Sequence, residues 1–201
     1  MGCCFGKRSS SETTEALELS NTTNAAVTAK PGARGEKVKV AQTETAYVVS
    51  GEGSSIASCP LDCDVCCWEV RVGAGAAGVR VGVTRWNEKK PRPLTALLKD
   101  GGAEEESWVF PGFADGGKDL EEGDVVTIFW DQTDLPMLSF AVNNTPYPEA
   151  SVSRIRPSNN IFPAVSVAKG SVCEYVFDST HWKYQPASSK WKAIICATSL
   201  I

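Results

Sequence analysis

The chain has 201 residues, of which 42% are hydrophobic, enough for one domain with a real core but not for two full domains. The 20 Lys and Arg against 24 Asp and Glu give a net charge of −4, which argues against nucleic acid as a partner, because domains that bind it are normally basic. No apolar run approaches the roughly 20 residues of a membrane-spanning helix, and the N-terminus lacks the apolar stretch of a secretory signal. We therefore expect a cytoplasmic protein.

Residues 1–8 are typical of a lipid-anchor segment. Gly2 becomes available for N-myristoylation once Met1 is removed, and Cys3 and Cys4 offer sites for S-palmitoylation. Because one myristoyl chain holds a membrane only marginally, the cysteines would supply the second signal that stable anchoring needs. Gly6 stands where Ser or Thr is preferred, so an unmodified N-terminus is the alternative. With the anchor, the protein is expected at the cytoplasmic face of a membrane, with the plasma and ciliary membranes as candidates.

The rest of the chain divides into a linker, a sandwich and a tail. Residues 9–35 are rich in Ser, Thr, Ala and Glu without apolar periodicity, which predicts a flexible linker. Residues 36–184 contain short β-branched and aromatic runs between Gly, Pro, Asn and Asp clusters, which predicts strands. The predicted strands are Lys37–Val40, Ala46–Val49, Cys67–Val72, Val79–Thr84, Val125–Trp130, Leu138–Val142, Phe162–Val167 and Val172–Phe177. With no convincing helical stripe among them, the pattern predicts an all-β fold of two packed antiparallel sheets, followed by a C-terminal tail at 185–201.

Alternation within the strands predicts which residues face the core. Trp68, Val70 and Val72 alternate with Glu69 and Arg71, so one face of this strand should pack and the other should meet water. Trp130 is likewise expected in the core. The pair Asn143–Asn144 tolerates the positive φ angles of a tight hairpin, which predicts a turn there.

A series of motifs in this range resembles the SPRY domain family. They occur in the family's order and are Cys67–Val72, Val79–Arg85, Glu122–Val126, Asp131 with Leu138–Asn144, Phe162–Ser166 and the closing strand Val172–Phe177. The departures are Asn144 where Gly is usual and the Thr133–Met137 stretch before the Leu138 strand. The resemblance implies a two-sheet antiparallel β-sandwich of the concanavalin-like jelly-roll type. It also implies an interaction module that recognises short peptides or protein surfaces through loops at one end.

Binding sites favour Trp, Tyr and Arg, so aromatic and arginine residues on or beside the predicted loops are the ligand-binding candidates. These candidates, together with one loop aspartate, are Arg85, Trp86, Trp108, Phe113, Asp131, Arg154 and Arg156. The expected partner is a protein or a peptide, bound by a monomer.

The eight cysteines are unevenly placed. In a reducing cytoplasm they should remain free thiols rather than form disulfides. The cluster of Cys59, Cys63, Cys66 and Cys67 has spacings that zinc sites use, but a structural zinc site usually takes a second ligand pair from a distant segment. We interpret these four cysteines as small buried hydrophobic residues and expect no bound metal.

The stretch Gly73–Gly78 spells the G-x-G-x-x-G pattern of dinucleotide-binding folds. Such a site needs a helix directly after the glycines, because the helix N-terminus meets the pyrophosphate. The following Val79–Thr84 alternates as a strand, so we interpret the glycines as the turn of a hairpin and expect no cofactor.

No set of residues indicates catalysis. His181 is the only histidine, and its surroundings lack the glycine elbow of a hydrolase. The acidic run Glu104–Glu106 has no partner carboxylate fixed across a cleft. The sequence therefore predicts a non-enzymatic binding module.

A lectin-like sandwich that binds a glycan or a small molecule is the alternative function. Sugar sites often combine an aromatic platform with aspartates and calcium. Asp115, Asp131 and Asp134 are available, but their spacing is not that of a calcium loop.

Overall fold

A computed structural model describes residues 27–99, 106–111, 119–156 and 158–196. Strands dominate this part of the chain. They are β1 (Val27–Thr28), β2 (Pro31–Arg34), β3 (Val38–Gln42), β4 (Tyr47–Ala57), β5 (Val65–Val72), β6 (Val79–Arg85), β7 (Ser107–Phe110), β8 (Val125–Asp131), β9 (Met137–Val142), β10 (Thr145–Ser153), β11 (Ile161–Val176) and β12 (Ile195–Cys196). Short 3-10 helices span Ala76–Gly78 and Ser179–His181. Among the described residues, no helix has the length and apolar character to cross a membrane.

Two long strands build the sandwich because each of them belongs to both sheets. The first half of β11 pairs with β6 and with the second half of β4, whereas its second half pairs with β5 and with the first half of β4. The register of β11 against β4 shifts between Val167 and Ser171, opposite Gly51 and Gly53, whose φ angles are 108° and 130°. These angles favour glycine, and a Cβ on Gly51 would lie 2.1 Å from the Lys37 carbonyl oxygen.

The bend gives a larger sheet with the strand order β10-β9-β8-β5-β11-β4-β3 and a smaller sheet with the order β7-β6-β11-β4-β2. All pairings are antiparallel, which confirms the predicted fold class. The predicted turn is also present: Asn143 and Asn144 have φ angles of 50° and 65° and close the β9–β10 hairpin.

The main core lies between the two sheets. Trp68 and Trp130 are fully buried there, as predicted, together with Phe110 and Tyr175. The Tyr175 hydroxyl donates a hydrogen bond to the Ser55 carbonyl at 2.8 Å, so the polar end of this buried ring is satisfied.

Parts of the outer faces of both sheets are also covered, which corrects the expectation that the second face of the Trp68 strand meets water. On the smaller sheet, Leu94 and Leu98 pack with Ile56, Val109 and Phe162. On the larger sheet, residues 177–196, here called the C-terminal cover, pack against Cys67 and Val176 through Trp182 and Trp191. Glu69, predicted to be solvent-facing, is consequently fully buried.

Polar groups hold the C-terminal cover on the larger sheet. Glu69 accepts backbone N–H bonds from Lys183 and Tyr184, each at 2.8 Å. Burial raises the pKa of this carboxyl, although the two amides act in the opposite direction. Arg71 donates to the His181 carbonyl at 2.6 Å. The cover therefore docks through its backbone as well as through its aromatic side chains.

A disulfide fastens the end of the cover, contrary to the expectation of free thiols. Cys59 and Cys196 are bonded, with a Cα–Cα distance of 5.6 Å. The prediction failed because spacing along the chain does not show that the tail returns to the start of the sandwich. Cys63, Cys66, Cys67 and Cys173 are free, and the last three are buried, as expected of small hydrophobic residues.

The sandwich also begins earlier than predicted. Strands β1 and β2 lie within the range 9–35 that was predicted to be a linker, and β1 pairs with β12 of the tail. Short strands such as these carry little apolar periodicity, because most of their stability comes from pairing with distant segments.

Other strands were missed or divided. β7 lies between the predicted strands Val79–Thr84 and Val125–Trp130, where no strand was predicted. β10 contains Pro146 and Pro148, residues that usually argue against a strand. β10 accommodates both prolines because it is an edge strand, paired in the described part of the chain with β9 alone. The runs Phe162–Val167 and Val172–Phe177 belong to the single strand β11.

The glycine-rich stretch is a turn, but not the turn of a hairpin. Ala76–Gly78 forms a 3-10 helix, and the chain passes from β5 in the larger sheet to β6 in the smaller one without pairing them. The glycines fit a crowded crossing, since a Cβ on Gly78 would lie 2.3 Å from the Ser171 hydroxyl.

Candidate functional site

Strand ends and adjoining loop residues at one end of the sandwich line a cavity of about 480 Å³. It lies where β6 ends, β7 begins and the chain leaves β10, so both sheets contribute to it. We call it the Arg-lined cavity. Its lining residues are Arg85, Glu106, Trp108, Ser153, Arg154, Ile155 and Arg156. Trp108 and Ile155 belong to the core between the sheets, so the cavity opens where this core ends.

Arg85, the last residue of β6, is held in a fixed orientation. Its backbone N–H donates to the Glu106 carbonyl at 2.8 Å, and its Nη2 donates to the Arg156 carbonyl at 2.9 Å. Its Cζ lies 5.6 Å from the centroid of the Trp108 ring, within the range of a cation–π contact. The guanidinium is thus positioned before any ligand arrives.

Arg154 and Arg156 follow β10 and are both exposed. Between them Ile155 is 2% exposed and packs into the core, which anchors the segment. The Arg154 backbone N–H donates to the Pro136 carbonyl at 2.8 Å, and Arg154 has a φ angle of 63°. A backbone that alternates exposed, buried and exposed residues directs both arginines away from the core.

Two residues of the cavity have left-handed backbone. Of the non-glycine residues with positive φ in the described part of the chain, Asn143 and Asn144 form the β9–β10 turn, and the other two, Glu106 and Arg154, line the cavity. The φ of Glu106 is 54°. Such conformations cost free energy in residues other than glycine and occur preferentially at functional sites.

The structure brings together four of the loop candidates: Arg85, Trp108, Arg154 and Arg156. Trp86 is elsewhere, because its ring packs edge-on against Phe162, with centroids 5.9 Å apart, in the cluster outside the smaller sheet. Phe113 lies outside the described residues, as do Gly2, Cys3 and Cys4.

Asp131 is separate from the cavity and binds the C-terminal cover. Its carboxylate lies 2.8 Å from Lys190 Nζ and accepts hydrogen bonds from the backbone and hydroxyl of Thr133. The Lys190 hydrogen bond, followed by that of the Thr133 hydroxyl, lowers the pKa of Asp131 to about 2. This aspartate therefore has a partner within the chain.

Sequence reasoning missed Glu106, Ser153 and Ile155 as lining residues. Each of them lies within two residues of β7 or β10 or inside one of them, and neither of these strands was predicted. The pattern Arg154-Ile155-Arg156, two charges around one β-branched residue, was the available signal for a buried anchor between exposed arginines.

The cysteine cluster shows no metal-binding arrangement: no group of three or more His, Cys, Asp or Glu side chains in the described residues is placed to hold an ion. Cys63 and Cys66 interact with each other instead. Their side-chain hydrogen bond lowers the pKa of Cys63 and raises that of Cys66.

Comparisons with known proteins agree with this fold. A family model for the SPRY domain matches residues 65–180, more than half of the chain. The solution structure of the NHR domain in Neuralized from Drosophila melanogaster is similar, with a TM-score of 0.54 and 12% identity over 79% of this chain and 96% of that chain. The TRIM65 PSpry domain gives a TM-score of 0.53 and 14% identity over 76% and 90%.

The crystal structure of the Drosophila neuralized-nhr1 domain has a TM-score of 0.51 at 11% identity and covers 76% of this chain and 99% of that chain. At such identities the likeness concerns the fold. No curated protein sequence matches the chain.

Proposed function

Because the chain belongs to the SPRY domain family, we propose that it is a non-enzymatic interaction module that binds a peptide or protein surface at the Arg-lined cavity. In folds of this kind the strands supply stability and the loops supply recognition. We therefore expect the partner at this cavity, which lies where strands end and loops begin.

The observation that carries this proposal is one preoriented arginine on an aromatic side chain, with two exposed arginines beside it. Arg85 is fixed by Trp108 and by the Arg156 carbonyl, and Arg154 and Arg156 are exposed beside it. Arginine and tryptophan contribute disproportionately to binding energy at interfaces. Groups that are already oriented lose less entropy when a partner binds.

Catalysis is not part of the proposal, and the residues at the start of the C-terminal cover, where the single histidine lies, make contacts that hold the backbone. The Asp178 carboxylate accepts hydrogen bonds from the backbone and the hydroxyl of Thr180, and these bonds lower its pKa. The His181 carbonyl accepts from Arg71. These residues complete the start of the C-terminal cover.

We further propose that acylation of Gly2, with palmitoylation of Cys3 or Cys4, tethers the module to the cytoplasmic face of a membrane. The support is the Met1-Gly2-Cys3-Cys4 sequence, which offers Gly2 for myristoylation and two cysteines for palmitoylation. The second lipid is needed because one myristoyl chain alone holds a membrane only weakly.

Comparing partner capture by the wild-type chain and by Arg85→Glu/Arg154→Glu tests the binding proposal. The immobilised full chain would be incubated with cell extract, and the bound proteins quantified by mass spectrometry. Arg34→Glu/Arg80→Glu is the matched control with the same charge change outside the cavity. We expect the cavity variant to lose specific partners that the control retains. Identical partner sets for wild type and cavity variant would contradict the proposal.

Labelling with a myristate analogue tests the tether. Wild type should incorporate the label and sediment with membranes, and Gly2→Ala should do neither. Cys3→Ser/Cys4→Ser should keep the myristate label but bind membranes more weakly. A wild-type chain without label would exclude the tether and leave the binding proposal unaffected.

A further inference from the structure

Within the part of the chain that the structure describes, the three arginines of the cavity have no carboxylate partner. In the described residues, Arg71 of the larger sheet forms an ion pair with Glu174 at 3.7 Å. Within the same residues, neither Arg85, Arg154 nor Arg156 forms an ion pair. Three positive charges thus share a cavity in which Glu106 is the only acidic side chain among the described lining residues.

The three positive charges repel one another, and an anionic ligand would reduce this unfavourable electrostatic free energy. Like charges around one cavity raise each other's free energy, and the penalty grows where protein replaces water. The protein as a whole has a net charge of −4, so the excess of positive charge is local to this site. Guanidinium groups match carboxylates particularly well because they can donate two parallel hydrogen bonds.

The size and the base of the cavity indicate more than a single small ion. A volume of about 480 Å³ falls in the range of sites that hold drug-sized ligands. Trp108 and Ile155 form an apolar base beneath the charged rim. A short peptide with acidic side chains and one apolar side chain would use both parts of the cavity.

The backbone supports a built site rather than an accidental cluster of charges. Glu106 and Arg154 both hold left-handed conformations on the rim, and such conformations persist only where the surrounding structure enforces them. Ile155 anchors the arginine segment, and Arg85 ties it to β6 through the Arg156 carbonyl.

We propose that the Arg-lined cavity recognises an acidic peptide segment, with carboxylates on Arg85, Arg154 and Arg156 and an apolar side chain over Trp108. This inference rests on the proposed function and specifies the chemistry of the partner. Glu106 disfavours anions on its side of the rim and so limits where the carboxylates of the segment sit.

Fluorescence anisotropy with labelled peptides tests this. The probe is Glu-Glu-Phe-Glu-Glu, and the matched peptide is Gln-Gln-Phe-Gln-Gln, both titrated with the full-length chain. We expect the acidic peptide to bind at least tenfold more tightly than the glutamine peptide, and its affinity to fall as salt rises, because exposed charges are screened.

Variants then assign the binding to the cavity. Arg154→Glu/Arg156→Glu should weaken the acidic peptide at least tenfold, whereas Arg34→Glu, an exposed change in the opposite edge strand β2 of the smaller sheet, should leave it unchanged. Glu106→Gln should strengthen it about two- to fivefold, because it removes the negative charge of Glu106 from the rim. Circular dichroism confirms that each variant is folded.

These experiments can reject the acidic-peptide inference without rejecting the proposed binding function. Equal binding of the two peptides, no binding of the acidic peptide, or full binding by the double arginine variant would overturn it. A peptide with phosphoserine in place of two glutamates distinguishes the anions: binding of the phosphopeptide alone would replace the carboxylate assignment by phosphate. If partner capture depends on Arg85 and Arg154 while acidic peptides do not bind, the binding module stands and the acidic partner does not.

Discussion

The Arg-lined cavity and the region that the C-terminal cover contacts both contain charged side chains, but the partners of those side chains differ. Beneath the cover, Glu69 of β5 accepts hydrogen bonds from two backbone amides of the cover. At its edge, Asp131 of β8 is bonded to Lys190 of the cover and to Thr133. In the cavity, Arg154 and Arg156 are exposed and make no ion pair within the described residues.

The difference separates groups that stabilise the fold from groups that remain available to a partner. A polar group that is satisfied within the chain contributes stability, and removing its partner leaves a buried charge or amide at a cost of a few kcal/mol. An exposed group without a partner contributes little stability, and its removal changes binding instead. Substitutions in the cover should therefore affect unfolding, and substitutions in the cavity should affect affinity.

Removing the Cys59–Cys196 disulfide should have the largest effect on stability. The bond joins residues separated by 137 positions, and a closed loop of this length restricts the unfolded chain strongly. We expect Cys196→Ala to lower the free energy of unfolding by about 2–4 kcal/mol. Urea denaturation with and without a reductant measures this.

The reductant supplies the control for that experiment. It should destabilise the wild type by a similar amount and leave Cys196→Ala unchanged. A wild-type protein equally stable with and without reductant would show that the disulfide does not hold the cover in place.

Glu69→Ala should have the next largest effect, about 2–3 kcal/mol, because the amides of Lys183 and Tyr184 lose their acceptor while remaining covered. Glu69→Gln keeps an acceptor oxygen and should cost less. Hydrogen exchange locates the effect, since protection should be lost at residues 183 and 184 and kept in β8. An alanine variant as stable as the wild type would mean that the cover docks through its aromatic residues alone.

The pH dependence of stability tests the burial of the same carboxyl. Burial raises the folded-state pKa of Glu69, so its favourable contribution is present below the ordinary value and is lost as pH rises through the raised pKa. The Glu69→Gln variant does not titrate at this position and should lack this loss. The difference between the unfolding free energies of the wild type and of this variant should therefore change as the pH rises above the ordinary pKa of glutamate. A difference that stays constant with pH would contradict the raised pKa of Glu69.

The sequence predicts features that depend on neighbouring residues better than features that depend on distant segments of the chain. Alternation identified Trp68 as core because it reports a local period, and the Asn143–Asn144 turn was predictable for the same reason. The same alternation predicted that Glu69 meets water, and this was wrong because a segment more than a hundred residues away covers it. Burial by a distant segment leaves no periodic signal in the strand that it covers.

The candidate site shows the same limit. Arg85, Trp108, Arg154 and Arg156 were predicted because they lie on or beside predicted loops and are of the types found at interfaces, and they do line one cavity. Asp131 was named on similar grounds, yet it pairs with Lys190. Residue type predicts which side chains are able to bind, whereas only the fold shows which already have a partner.

Asp131→Asn should have a smaller effect, below about 1 kcal/mol, since the Lys190 side chain is 52% exposed and water screens the pair. The pKa of Asp131 is lowered to about 2, so its stabilisation is present above the ordinary aspartate value and is lost as pH falls through about 2. The wild-type advantage in urea denaturation should therefore shrink as pH falls from the ordinary aspartate value to about 2. Adding Lys190→Met to Asp131→Asn should cause little further loss, and fully additive effects would contradict the pair.

Arg154→Gly should have the smallest effect on stability, and in the opposite direction. A φ of 63° costs an arginine roughly 1 kcal/mol, which glycine avoids, while the flexibility of glycine in the unfolded chain offsets part of the gain. We expect the free energy of unfolding to stay level or rise by up to about 1 kcal/mol, and the affinity for the acidic peptide to fall at least fivefold. Arg156→Gly is the control, because Arg156 lacks positive φ and should weaken binding without any gain in stability. A marked loss of stability in Arg154→Gly would place Arg154 among the groups that hold the fold, whereas weaker binding with undiminished stability assigns its strained backbone to recognition.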